Sequence, residues 1–114
     1  MEIKNPFTVA DFFAGIGLVT LGFHRSGWKV EYAVDYSSDK MEMYAQNFDG
    51  SHYELRDILE VAGEEVPDVT LAHASFPCTD VSVAGGRNGL NGEASSQIWS
   101  FIRILSEMNG RRPP

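Results

Sequence analysis

Apolar and polar positions along this chain switch between a two-residue and a 3.6-residue period, the pattern of strands alternating with helices. Phe7 to Phe13 reads as a first strand ending in a glycine turn, Asp11-Phe12-Phe13-Ala14-Gly15-Ile16-Gly17. A helix is predicted from Gly17 to Ser26, with Leu18, Leu21 and Phe23 facing inward and Gly27 as its stop. Trp28 to Val34 alternates as a second strand and ends at Asp35. Ser37 or Ser38 caps a second helix that carries Met41, Tyr44, Ala45 and Phe48 on one face. A short strand from His52 to Leu55 leads into Arg56-Asp57-Ile58, and Val66 to Ala74 contains a fourth strand. After a loop holding Gly85, Gly86, Gly89 and Gly92, a last helix is predicted from about Ser96 to Met108. Its apolar stripe is Ile98, Trp99, Ile102, Leu105 and Met108, with Trp99 and Phe101 read as core.

Strands and helices in alternation favour an α/β fold with a parallel, doubly wound sheet. The segment Asn109 to Pro114 turns the chain as if a fifth strand were to follow, one that would cover the open edge of the fourth. The chain therefore reads as a piece to be completed, by its own continuation or by a partner. Composition adds little: 43% hydrophobic and 22% charged residues in 114 positions describe one ordinary small domain. No apolar run approaches membrane-spanning length, so no membrane association is expected. The N-terminus lacks a signal peptide's basic and apolar regions, and a single cysteine cannot form an internal disulfide; both suit a cytoplasmic setting. Charge does change the picture. Sixteen acidic against nine basic residues give a net charge of -7, the wrong sign for gripping nucleic-acid phosphates. Any nucleic-acid function needs basic surface from elsewhere.

Two segments carry candidate chemistry. Glycines after a first strand let the backbone turn tightly against a ligand while the next helix offers free N–H groups. An acidic residue ending the second strand, here Asp35, is placed to accept hydrogen bonds from ribose hydroxyls. A tight turn in any α/β protein would look similar, and a nicotinamide dinucleotide is the obvious competing ligand. The dinucleotide fingerprint would, however, require a small glycine-like residue at Thr20, and the next glycine is Gly22. A cofactor without pyrophosphate, such as S-adenosylmethionine, does not need that third glycine. Asp57 could contact an adenine amine or simply cap the turn before Ile58 and Leu59.

The second segment is Ser75-Phe76-Pro77-Cys78-Thr79, just beyond the fourth strand. Lone cysteines are most often buried as small hydrophobes. Cys78, though, follows a rigid proline, precedes polar Thr79 and Asp80, and sits where α/β proteins place ligands. As a thiolate it would be a nucleophile, with Arg87 the nearest cation in sequence. His24, His52 and His73 show no metal-ligand spacing, and no metal site is expected. His73, inside an apolar strand, reads as a hydrogen-bonded core residue.

In combination these residues resemble the cytosine-C5 DNA methyltransferase family. Asp11 to Gly17 resembles its first cofactor-binding motif, Phe76-Pro77-Cys78 its proline–cysteine nucleophile motif, and Val34-Asp35 and Arg56-Asp57-Ile58 the cofactor positions between. Spacing and order agree, over essentially the whole chain but only the first part of a family member. The resemblance implies a Rossmann-like S-adenosylmethionine-dependent methyltransferase fold, of which about four strands and their flanking helices are present. Residues 1–114 would be the N-terminal part of the catalytic domain, without a target-recognition domain. It further implies a cofactor pocket formed by Phe13, Ala14, Gly15, Ile16, Gly17, Asp35, Tyr36, Asp57, Ile58 and Pro77. Phe13 and Ile16 would pack near adenine, Asp35 would bind the ribose hydroxyls, Asp57 the adenine amine, and Cys78 would attack C6 of a flipped cytosine. Leu18 stands where members commonly carry another glycine, and Thr79 replaces their usual glutamine. The glutamate that holds cytosine N3 would come after Pro114.

The leading expectation is thus a cytosine-C5 DNA methyltransferase fragment, inactive alone and acting on double-stranded DNA in the cytoplasm through the complete protein. An S-adenosylmethionine-binding subunit that works only with a second polypeptide is the alternative, and a dinucleotide-dependent oxidoreductase fragment a weaker one.

Overall fold

The computed structural model describes residues 7–76 and 96–108. Four strands form one parallel sheet: β1 (Thr8–Phe12), β2 (Lys29–Asp35), β3 (Tyr53–Leu55) and β4 (Leu71–Ala74), in the order β3-β2-β1-β4. Helices α1 (Leu18–Arg25) and α2 (Ser38–Asn47) connect the first three strands, and α3 is Ser96–Met108. Short 3-10 turns at Gly50–His52, Ile58–Glu60 and Gly63–Glu65 complete the elements. The chain winds outward from β1 to β3, then crosses back so that β4 pairs with the other side of β1. Among the described residues no helix is long and apolar enough to cross a membrane.

The strands bury both faces. Ala10, Phe12, Tyr32 and Val34 point to one side, where they meet Ile58, Val61, Val66, Val69, Ile104 and Met108. Burying a side chain such as Phe12 or Ile104 contributes about 1.5–3 kcal/mol, so this layer is what holds α3 in place. Gly63 sets how closely α3 approaches. A Cβ there would lie 2.6 Å from the Ile104 carbonyl oxygen, and the Gly63 N–H donates to Glu107 Oε1 at 2.7 Å. On the opposite face Ala14, Ala33, Tyr44 and Tyr53 pack with Val30, Met41 and Phe48. Tyr44 ties three elements together: its hydroxyl is 3.1 Å from Thr20 Oγ1 in α1 and 2.6 Å from His52 Nε2.

The predicted element order holds, and β2, β3 and α3 fall within a residue of their expected bounds. Ser37 caps α2 by accepting from the Lys40 N–H, and Gly27 follows α1 with φ 85°. His73 is hydrogen-bonded as expected, its Nδ1 3.0 Å from Asp11 Oδ1, but its side chain is 32% exposed and not within the core. Burial raises the pKa of Asp11 and the His73 hydrogen bond opposes that shift.

Three packing expectations are corrected. In α1 Leu18 and Leu21 face outward, 73% and 37% exposed, while Thr20 is the buried residue and Phe23 is half-buried against Trp28 and His73. Thr20 turns inward because Tyr44 gives its hydroxyl a partner. In α2 Ala45 is exposed although Tyr44 is fully buried. In α3 the inward face is Ser100, Phe101, Ile104, Leu105 and Met108, leaving Trp99 and Ile102 about half exposed. That helix carries more apolar residues than one face holds, and the edge-to-face contact of Phe101 with Phe12, centroids 5.1 Å apart, fixes its rotation. The fourth strand lies within the expected Val66 to Ala74 segment and begins at Leu71. Pro67 has no N–H to pair, and Val66 N–H closes the preceding 3-10 turn on the Gly63 carbonyl.

Candidate cofactor site

The turn after β1 reverses direction with three left-handed residues: Phe13 (φ 64°), Gly15 (φ 57°) and Gly17 (φ 99°). Left-handed backbone costs an L-residue about 1–2 kcal/mol, so Phe13 must be held there. Two bonds do so, from the Phe13 and Ala14 N–H groups to the Val34 carbonyl at 2.9 and 3.1 Å. The two glycines differ in what surrounds them. A Cβ on Gly17 would sit 2.5 Å from the Phe48 ring and 3.0 Å from that of Tyr44, whereas a Cβ on Gly15 would meet nothing within 4 Å. Gly17 thus serves packing, and Gly15 borders open space.

Asp35 is the hub. Its Oδ2 accepts from the Gly15 N–H at 3.0 Å, its Oδ1 from the Ser37 N–H at 3.2 Å, and its own carbonyl from the Arg56 N–H at 3.0 Å. One buried carboxylate therefore joins the glycine turn to the start of α2. Each oxygen keeps a further lone pair for an outside donor. The Gly15 carbonyl is also held, by the Tyr53 hydroxyl at 3.0 Å. α1 begins without a side-chain cap, leaving its first N–H groups open to an acceptor from elsewhere.

Beside the turn, Phe13, Val34, Asp35, Tyr36, Arg56 and Ile58 line a crevice too narrow to admit a water molecule. Four of the sequence-predicted residues, Phe13, Asp35, Tyr36 and Ile58, thus meet around one slot. Gly15 joins them through Asp35. Tyr36 is 66% exposed and forms the free wall, and Ile58 is the buried floor.

The other predicted residues are placed differently. Ala14 is buried on the α2 side of the sheet, and Gly17 faces Phe48 and Tyr44. Ile16 opens into a separate groove with Leu18, Leu21, Met43 and Phe48, not into the slot. Asp57 is exposed, and its Oδ1 caps the turn at Ile58–Glu60 by accepting from the Leu59 N–H at 3.0 Å. No described residue bonds to its second oxygen. Pro77 and Cys78 lie outside the described residues, as does the glycine-rich loop.

Tyr53 was missed by the sequence reading, and Arg56, read there only as part of the Arg56-Asp57-Ile58 cofactor segment, lines the slot itself. Arg56 walls the slot because Glu54 and Glu65 hold its guanidinium from the side and the Glu60 carbonyl accepts from it. Its position next to Asp57 was the available signal. Tyr53 had none, because its partner Gly15 is 38 positions away. Thr20, where a dinucleotide fingerprint would need a glycine-like residue, is packed and hydrogen-bonded inside the fold.

Comparison with known proteins supplies a family. The sequence profile described as C-5 cytosine-specific DNA methylase matches residues 7–112. The chain is 34% identical to the type II methyltransferase M2.BsuMI of Bacillus subtilis (strain 168), over 93% of this chain and 27% of the relative. It is 35% identical to the type II methyltransferase M.Bsp6I of Bacillus sp. (strain RFL6), over 92% of this chain and 33% of the relative. The chain thus spans about a third or less of these curated relatives' length. Among solved structures, a prophage-encoded DNA modification methyltransferase (E. coli) superposes with a TM-score of 0.74 at 22% identity, covering 90% of this chain and 29% of that one. An S-adenosylmethionine-dependent methyltransferase from Mesorhizobium loti superposes with a TM-score of 0.54 at 14% identity, covering 92% and 44%. At those identities the likeness establishes a Rossmann-like fold.

Proposed function

Because the chain belongs to the C-5 cytosine-specific DNA methylase family, we propose that it holds S-adenosylmethionine at the C-terminal ends of β1, β2 and β3 and carries the cytosine-attacking thiol in Cys78. The observation that supports this most is the pairing of Gly15 with Asp35: a turn open in front, with a buried carboxylate directly behind it. Asp35 would accept the ribose hydroxyls with the lone pairs it has left. Phe13 and Ile58 offer an apolar surface to adenine, and Asp57 offers its free oxygen to the amine. The slot is too narrow for a base, so entry would require a wall to move, and Tyr36, 66% exposed, is the lining side chain with the most room to do so. α1 would receive the carboxylate of the methionine moiety on its uncapped N–H groups.

S-adenosylmethionine supplies, when bound, a methyl group on a sulfonium sulfur. Cys78, as a thiolate, would add to C6 of a cytosine turned out of a DNA duplex and so make C5 electron-rich. With the methyl group taken up at C5 and the sulfonium left as a neutral thioether, passage of the C5 proton to a base and departure of the Cys78 thiolate from C6 would restore the aromatic ring. With a net charge of -7, the chain would rely on basic surface outside it to hold DNA.

The exposed apolar residues of α1 and α2 favour a second feature of this reading, completion by further polypeptide. Leu18, Leu21, Ile16 and Met43 line a groove of about 370 Å³ with Phe48, and among the described residues β4 is paired on one side only. The isolated chain is accordingly expected to bind cofactor without turning over.

Calorimetric titration with S-adenosylmethionine, with Asp35→Ala and Tyr36→Ala alongside, tests the cofactor site. Saturable binding that both variants weaken supports it. A folded chain that binds nothing would mean that the half-site reading is wrong. Methylation of unmodified genomic DNA by the chain alone, lost in Cys78→Ala, would instead refute the expectation of inactivity.

A further inference from the structure

We propose that Tyr53 is a positioning residue for the cofactor-binding turn, holding the Gly15 carbonyl so that the open side of the glycine faces the ligand; this rests on the cofactor reading above. Tyr53 stands on β3, two strands away from β1, and its hydroxyl reaches across β2 to donate to the Gly15 carbonyl at 3.0 Å. The ring is buried and fixed edge-on by Tyr44, centroids 4.7 Å apart. The donor therefore has little freedom to follow the turn if the turn moves.

Gly15 needs this anchor for two reasons. Its left-handed backbone, φ 57°, is not braced by packing from the open side, where no described residue would lie within 4 Å of a Cβ. Its other anchor, the Asp35 carboxylate bonded to the Gly15 N–H, is also the group expected to receive the ribose. When ligand hydroxyls compete for that carboxylate, the carbonyl bond to Tyr53 is the one that stays unshared. Burial raises the pKa of the Tyr53 phenol, so it remains a donor at neutral and mildly alkaline pH.

Tyr53→Phe keeps the ring and its packing against Tyr44 and removes only the donor. Tyr44→Phe is the matched control, because it removes an equally buried hydroxyl that touches Thr20 and His52 but not the turn. Two readouts are taken on each purified chain, S-adenosylmethionine affinity by calorimetry and the hydrogen-exchange rate of the Gly15 amide without ligand by NMR. One lost neutral hydrogen bond corresponds to about a two- to tenfold change in an equilibrium. Tyr53→Phe is expected to weaken binding by about that factor and to speed Gly15 exchange, while Tyr44→Phe lowers the melting temperature and moves neither readout. Unchanged Gly15 exchange in Tyr53→Phe overturns the proposal, as does an equal loss of affinity in the two variants. Faster Gly15 exchange in a wild-type background that binds no S-adenosylmethionine supports the anchor and counts against the cofactor reading instead.

Discussion

Replacing Gly17 by alanine should damage this fold, and replacing Gly15 by alanine should damage binding while sparing the fold. Both residues lie in the left-handed region, so each variant incurs a backbone cost of about 1–2 kcal/mol. Only Gly17 adds a steric one. Its new methyl group would come within 2.5 Å of Phe48 Cε2 and 3.0 Å of Tyr44 Cδ2. Tyr44 cannot yield, being fully buried with its hydroxyl bonded on two sides. Phe48 can yield only by giving up its ring contact with Tyr44, centroids 5.0 Å apart. Overpacking of this kind costs about 1–3 kcal/mol, for a total near 2–5 kcal/mol. A domain's whole stability is about 5–15 kcal/mol. At about 3–5 °C per kcal/mol for a chain of this size, Gly17→Ala should melt roughly 6–25 °C below wild type, and Gly15→Ala within about 10 °C of it. Gly15→Ala should nonetheless lose S-adenosylmethionine affinity by tenfold or more, because its methyl group occupies the open space before the turn. Thermal melts followed by circular dichroism, with calorimetric titration of each variant, separate the two effects. A Gly17→Ala protein melting within 3 °C of wild type, or a Gly15→Ala protein less stable than Gly17→Ala, would refute this assignment of roles.

Other sites give independent checks. Ile104→Ala should cost about 2–5 kcal/mol in chemical denaturation, since Ile104 is fully buried under the sheet, whereas Ile102→Ala, half exposed on the same helix, should cost under about 1 kcal/mol. Burial holds the pKa of His52 below its ordinary 6.5, so the unfolded chain binds the proton more tightly. Stability should be fully present above pH 6.5 and fall as pH drops toward the folded-state value; pH-dependent melts of wild type and His52→Gln read this, and an equal slope in both would remove His52 as the cause. Asp57→Asn retains an acceptor for the Leu59 N–H and should leave the melting temperature unchanged while weakening S-adenosylmethionine binding. Unaltered affinity would leave Asp57 with capping as its role.

Much of this architecture is legible in the sequence because the features concerned are local. The bounds of α3, the Ser37 cap, the Gly27 stop and the position of Asp35 at the end of β2 all follow from periodicity or from a residue's intrinsic preference. What is lost is whatever depends on a partner distant along the chain. The apolar residues of α1 identify a helix, but only the Tyr44 hydroxyl explains why Thr20, not Leu18, points inward. The glycine turn is readable as a turn, while the Tyr53 hydroxyl that holds it comes from 38 positions away. Asp57 shows the opposite limit: local sequence offered a cap and a ligand contact, and the structure displays the cap without removing the second oxygen.

The double attachment of Asp35 bears on how such a chain can change over generations. Its two oxygens brace the glycine turn and the start of α2, so a substitution that removed a ligand contact would also loosen two structural elements. Selection for folding alone would preserve this aspartate even in a lineage that had abandoned the chemistry. Persistence of Asp35 is then a record of architecture, not of use. Tyr36 next to it has a largely exposed ring and no such bracing duty, and it would be free to drift as soon as binding ceased to matter. Of two neighbouring residues in one slot, the less buried is the better witness to whether the site is still in service.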